Sequence, residues 1–180
     1  MLQPLSHRTL YAVVDIETTG HHATGNGITE IAIVIHNGQE ILDCYETLVN
    51  PGSHIPRFVQ SLTGITNEMV RHAPPFREIA GSVYELLRDK IFVAHNAGFD
   101  YPYIQEQLLK AGYVLDVKKL CTIRLSRKIV PGMNSYSLGK LCHQLGIGHG
   151  NQHRAAGDAM ATARLFALLT ERNREIVENF

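Results

Sequence analysis

The stretch YAVVDIETTG, residues 11–20, decides how this chain is read. Tyr11, Ala12, Val13 and Val14 suit a buried strand, yet Asp15 and Glu17 follow within the same run. Side chains two apart on a strand point to one face, so the two acids share a face. Like charges that close raise each other's pKa and are costly to bury unpaired. Taken alone, the pair is also what a solvated strand end carries.

Outward from this strand, TEIAIVIH (29–36) reads as strand two, with Ile31, Ile33 and Ile35 alternating to one face. Asn37-Gly38 is a two-residue type I′ hairpin signal, and strand three is expected over 39–48. NPGSHIP (50–56) is turn material, followed by a helical piece, LTGIT (62–66) and a Pro74-Pro75 break. Phe76, Ile79, Val83, Leu86 and Leu87 fall at helical spacing over 76–88. IFVAH (91–95) is short and apolar, a strand for the sheet centre beside strand one. Helix 99–111 ends at Gly112, a C′ glycine. A strand over 117–121, helices over 122–128 and 137–145, and an alanine-rich helix over 154–172 complete the chain. The order predicts an α/β fold: a mixed five-stranded sheet, with an antiparallel β1-β2-β3 meander plus parallel β4 and β5, flanked by helices.

At 180 residues the chain is expected to form a single domain, burying roughly 70% of its unfolded surface. Hydrophobic residues make up 44% and charged residues 19%, a globular balance. No apolar run reaches the ~18–20 residues that span a bilayer, and MLQPLSHRTL lacks the layout of a secretory signal. Three cysteines without a CxxC pair fit reduced thiols, so a cytoplasmic protein with no membrane partner is expected. Seventeen basic residues balance 17 acidic ones, which excludes nucleic-acid binding by blanket attraction and requires local charge or bound metal instead.

Two more stretches set acids against apolar structure. HNAGFD (95–100) follows the apolar strand directly, so Asp100 falls near a helix start, where an N-cap aspartate is equally at home. In HRAAGD (153–158), His153 precedes Asp158 by five positions. Five residues of helix turn through about 500°, which would leave the two side chains about 140° apart. His153 is therefore expected in a loop and Asp158 in the first turns of the helix, where the macrodipole also favours an acid. Ala155, Ala156, Gly157 and Ala159 would let that helix approach the sheet closely.

With DIETTG, HNAGFD and HRAAGD in this order, the sequence closely resembles the DEDDh (DnaQ-like) group of 3′–5′ exonucleases. Between the motifs, LTGIT, CTIRLSR, PGMNSYSLGKLC and DAMATARLF look like the proofreading exonucleases of bacterial DNA polymerase III, the epsilon subunit and the polymerase-embedded form. The resemblance spans about residues 9–170 and implies a ribonuclease H-like fold, which has this order of elements. It also implies a metal-dependent phosphodiester hydrolase that releases nucleoside 5′-monophosphates from 3′ ends.

By resemblance, Asp15, Glu17, Asp100 and Asp158 hold two divalent cations, and four carboxylates suit Mg²⁺ or Mn²⁺ rather than zinc. Such a pair can stabilise the attacking and leaving oxygens of an in-line displacement. Asp15 would bridge both ions, Glu17 and Asp158 would complete the one holding the nucleophilic water, and Asp100 would support the other. His153 would take the proton from that water, as an imidazole can near neutral pH. The main chain around Thr18, Thr19 and Gly20 is expected to grip the terminal nucleotide. Leu62, Thr63 and Ile65 would form a wedge, and His95 and Asn96 would touch the substrate backbone or support the site.

Other readings stay open beside these. LTGIT serves equally as a packed turn, and Lys118, Lys119, Arg124, Arg127 and Lys128 as a phosphate track or a solvated helix face. A zinc site of His149, His153, Cys142 and His143 is opposed by the intervening glycines and the lack of HExxH or CxxC. The presence of all four acids and the histidine opposes a non-catalytic binding module. The expected partner is a single-stranded or frayed 3′ end of DNA; an RNA-trimming enzyme is the alternative, since discrimination rests on the sugar 2′ position. Only the resemblance implies association with a polymerase. The residues up to Phe180 show no tail or clamp-binding peptide for it, so a stand-alone nuclease or one domain of a longer chain is expected.

Overall fold

The computed structural model describes residues 9–150 and 152–180; most of the N-terminal stretch that lacks a signal layout lies outside them. Its elements are β1 (Tyr11–Thr18), β2 (Ile28–His36), β3 (Ile41–Leu48), α1 (Arg57–Thr63), α2 (Asn67–Val70), α3 (Phe76–Leu87) and β4 (Ile91–Ala94). There follow α4 (Ala97–Lys110), β5 (Lys119–Cys121), α5 (Thr122–Ile129), α6 (Leu138–Leu145), α7 (Ala155–Arg172) and α8 (Arg174–Glu178). The sheet runs β3-β2-β1-β4-β5: β1 pairs antiparallel with β2 and parallel with β4, and β4 pairs parallel with β5. This is the mixed five-stranded, ribonuclease H-like arrangement that the element order predicts.

Alternation along the central strand divides the core. Ala12, Val14 and Ile16 pack with Phe92, Val83 and Ile104 on the side of α3 and α4. Tyr11 and Val13 pack with Val34, Leu125, Leu141 and Phe166 on the side of α5, α6 and α7. Asp15 and Glu17 continue the second set, so both acids face α7. Ala155, Ala159 and Ala163 are fully buried at i, i+4 and i+8, and their small side chains bring α7 close to the sheet, as the sequence predicts.

The β2–β3 hairpin differs from expectation. Its loop is four residues, 37–40, and β3 begins at Ile41. A type I′ turn needs positive φ at both central residues, but here only Gly38 has it, at +88°. The Asn37 side chain builds the turn instead, its Oδ1 accepting the N–H groups of Gln39 and Glu40 at 2.9 Å each.

Candidate active site

The site forms where β1 stops pairing regularly. Glu17 pairs with Glu30, but Thr18 pairs with Ile28, so Thr29 is an extra residue on β2. Asp15 and Glu17 rise here from the α7 face of β1, and Asp158 meets them from the first turn of α7. One carboxylate oxygen from each of the three lies within 4.8 Å of the others, and all three residues are half-buried. Among the described residues this is the only grouping of histidine, cysteine and acid that could hold a metal.

Charge here is poorly compensated. Burial raises Asp15 well above the usual carboxylate range, and Asp100, Asp158, Glu17 and Glu30 add to it by repulsion. Glu17 is pushed up to about 7 by burial, Asp158 and Glu30, with Arg154 acting against the rise. A bare cluster of this kind favours either protons or a cation. Three oxygen donors at this spacing fit a hard divalent ion such as Mg²⁺ or Mn²⁺.

Asp100 stands apart from that trio. It is buried on α4, which packs against the opposite face of the sheet from α7. Its carboxyl is pushed up to about 8, by burial and, to a lesser degree, by Glu17, while its own N–H and that of Ile16 hold it down by hydrogen bonding. The structure therefore brings together three of the four predicted acids and leaves the fourth near enough to raise Asp15 by repulsion.

The histidines divide unexpectedly. His153 lies before α7 with φ +58°, exposed, and its N–H donates to Asp158 Oδ2 at 3.1 Å. The imidazole on the acids is that of His149, whose Nε2 lies 2.5 Å from Asp158 Oδ1. His149 Nδ1 is buried with no hydrogen-bond partner among the described residues. A cleft of about 770 Å³ holds His149, His153 and Asp158 together with Ser135, Ser137 and Lys140 of the 131–140 segment. The zinc alternative does not assemble: burial pushes the Cys142 thiol up to about 11, and His143 is exposed.

Sequence reasoning missed the pair that seats α7. Glu30, buried on β2, accepts Arg154 Nη2 at 2.6 Å and Nε at 3.1–3.2 Å, and also the Ala155 N–H at 2.8 Å. One carboxylate thus holds both the guanidinium and the first helical N–H of α7, three residues before Asp158. The signal available was an acid in the otherwise apolar strand ITEIAIVIH and an arginine beside His153.

The remaining predicted contact residues also make bonds within the fold. The Thr19 N–H is taken by the Gly27 carbonyl at 2.9 Å, and the Thr18 hydroxyl donates to Gly20 O at 2.7 Å. A Cβ on Gly20 would meet Asn26 Oδ1 at 2.5 Å and displace the amide that bonds Thr19 and the His22 carbonyl. The Tyr103 hydroxyl, from α4, lies within hydrogen-bonding distance of the carbonyls of Gly20 and His22, which share its one proton. Thr63 and Ile65 are buried: the first bonds Val59 O and the second joins a satellite core with Ile55, Val59 and Val70. They are a packed turn, whereas Leu62 is 56% exposed and its i−4 neighbour Phe58 is 62% exposed. His95 links Thr122 Oγ1 and the Tyr136 carbonyl, 2.9 Å each, and burial lowers its pKa. Its ring ties α5 and the 131–140 segment to the end of β4. Asn96 is exposed in the left-handed region, φ +82°, at the start of α4.

Comparison with known proteins agrees with this geometry. The exonuclease (RNase_T) family matches residues 12–166. A 3′-5′ exonuclease DinG of Bacillus subtilis (strain 168) is 40% identical over 169 residues, which cover 92% of this chain and 18% of the relative. The DinG exonuclease of Staphylococcus aureus (strain USA300) is 36% identical over 163 residues, 90% of this chain and again 18% of the relative. The chain thus spans about a fifth of the length of these relatives, which are named for DinG rather than for a polymerase. Exonuclease X in complex with 5′ overhanging duplex DNA superimposes with a TM-score of 0.75 at 27% identity, covering 91% of this chain and 93% of that one. Exonuclease I of E. coli in complex with a dT13 oligonucleotide shares the fold, with a TM-score of 0.82 at 17% identity over 95% of this chain and 43% of that one. With the family match running from β1 into α7, through every acid of the site, the chain belongs to the exonuclease family.

Proposed function

We propose that residues 9–172 act as one 3′–5′ exonuclease domain, which releases nucleoside 5′-monophosphates from single-stranded or frayed 3′ ends of DNA. The observation that carries this reading is the convergence of Asp15, Glu17 and Asp158 at one end of the sheet, with the charge of Asp15 and Glu17 poorly compensated. Two divalent cations, Mg²⁺ or Mn²⁺, would supply the positive charge that stabilises the attacking and leaving oxygens at phosphorus. Asp15, Glu17 and Asp158 would hold them, with Asp100 supporting the second ion. His153 would accept the proton of the attacking water on a ring nitrogen at the cleft mouth. His149 is a second candidate for that role, because its ring already lies on Asp158. Leu62 and Phe58 would offer apolar surface to a terminal base, and Asn96 would meet the strand before it. The names of the DinG relatives and the overhanging DNA held by exonuclease X support a DNA substrate.

The test is digestion of 3′-labelled and 5′-labelled single-stranded DNA and RNA with Mg²⁺ or Mn²⁺. Mononucleotide release from the 3′ end is expected, abolished by EDTA and by Asp15→Ala. Activity that survives either treatment would remove the two-cation account, and faster turnover of RNA would reassign the substrate.

A further inference from the structure

The basic stretch read from the sequence is divided by the fold, and one part of it lines a groove. Lys118 turns away to the Glu178 carbonyl, 3.2 Å from its Nζ, and Lys128 Nζ lies 4.9 Å from the Phe180 ring centroid. Lys119 of β5 and Arg124 and Arg127 of α5 instead line a depression of about 560 Å³ with Asn96, Tyr101 and Ile123. It starts at Asn96 and Ala97, just after β4 and one helical turn before Asp100. No acidic residue lines it. In a chain of zero net charge, this is a local segregation of three cations.

Each of the three rests on an aromatic face. Lys119 Nζ is 4.3 Å from the centroid of Tyr101, Arg124 is 5.0 Å from that of Phe180, and Arg127 is 5.6 Å from that of Tyr136. Such stacking orients a cation while leaving its N–H groups free to donate. Among the described residues, none of the three has an acidic partner within 4.0 Å. Arg124 and Arg127 are three apart on α5 and share a helix face. Exposed cations beside the half-buried Ile123 match the line of phosphates that a single strand presents.

We propose that this groove binds the single-stranded DNA that leads to the 3′ end, with Lys119, Arg124 and Arg127 on successive phosphates. The inference rests on the exonuclease reading for the direction of the strand but is measured by binding. The comparison is between the natural protein and a Lys119→Gln/Arg124→Gln/Arg127→Gln variant, using a fluorescent 15-nucleotide single-stranded oligodeoxynucleotide in EDTA and a salt titration. Loss of at least tenfold in affinity is expected, with the log Kd against log[salt] slope reduced by about 2, since each single-strand phosphate contact contributes about 0.7. In turnover assays, the rise in KM should shrink as the strand is shortened towards a dinucleotide. Arg124→Lys/Arg127→Lys should keep most of the salt slope, and circular dichroism melts check the fold of each variant.

An unchanged slope in the triple variant overturns the proposal. So does an equal loss when the same charge is removed at Arg71, Arg77 and Arg88, none of which lines the groove. Groove-dependent binding by a protein that fails to cut would remove the exonuclease reading and leave the groove standing.

Discussion

The two histidines before α7 separate main-chain from side-chain geometry within five residues. His153 needs a left-handed backbone, φ +58°, to turn its N–H onto Asp158, and that conformation sends its ring to the cleft mouth. His149 places its ring on the same carboxylate and keeps it almost fully buried. A proton acceptor for water has to be reachable, which favours His153. A ring that locks one carboxylate oxygen suits a positioning role, which favours His149. His153→Ala is therefore expected to lower kcat by about 10²–10⁴-fold, and His149→Ala by less than tenfold with a change in Mn²⁺ affinity. Rapid-quench assays on a labelled oligonucleotide, with Mn²⁺ binding followed by electron paramagnetic resonance, separate the two. The reverse order of losses would move the proton to His149.

At the scale of elements, the Glu30–Arg154 pair is what brings α7 to the sheet in register. Glu30 sits opposite Glu17 on β2, and Arg154 and the Ala155 N–H offset part of the charge it adds to the site. Removing one partner of a buried pair is costly, but Arg154 is more than a third exposed, so Glu30→Gln is expected to cost about 1–3 kcal/mol. For a chain of this length that is roughly 2–4 °C of Tm per kcal/mol. Because Asp158 lies one turn into the same helix, Mn²⁺ affinity should fall as well, and Arg154→Gln in the same chain should cost less than the two single losses added together. Strict additivity would mean that the pair does not act as a unit. The elements themselves were legible in the sequence because apolar periodicity and glycine and proline breaks are local signals. What was not legible depends on side-chain contacts that periodicity does not report. Asn37-Gly38 promises a two-residue turn, but the side-chain acceptor of Asn37 builds a longer one. Thr63 and Ile65 belong to a resemblance that implies a wedge, yet burial assigns them to a packed turn. Glu30 reads as one more polar residue in a strand until Arg154 arrives, 124 positions later.

For the whole molecule, the gathering of acids links folding to pH and metal. Asp15 is held well above the usual carboxylate range, Glu17 at about 7 and Asp100 at about 8, each chiefly by burial. Between the ordinary carboxylate value of ~4 and these raised values, the folded protein binds more protons than the unfolded chain. Their contribution to stability is therefore fully present below pH ~4 and is lost as pH rises through 7 to 8. Buried His36 and His95, whose pKa values are lowered, work in the opposite direction, but their gain with pH is complete by ~6.5, the unfolded value. The interval from pH 6.5 to 8 belongs to the acids. Thermal melts of the metal-free protein in EDTA should show Tm falling across that interval, and millimolar Mn²⁺ at pH 8 should restore it by mass action on the folded state. Asp15→Asn, which removes one of the crowded charges, should flatten the fall. A Tm that stays level or climbs between pH 6.5 and 8 in EDTA would mean that the carboxylates are already compensated and that no electrostatic need for cations exists at this site.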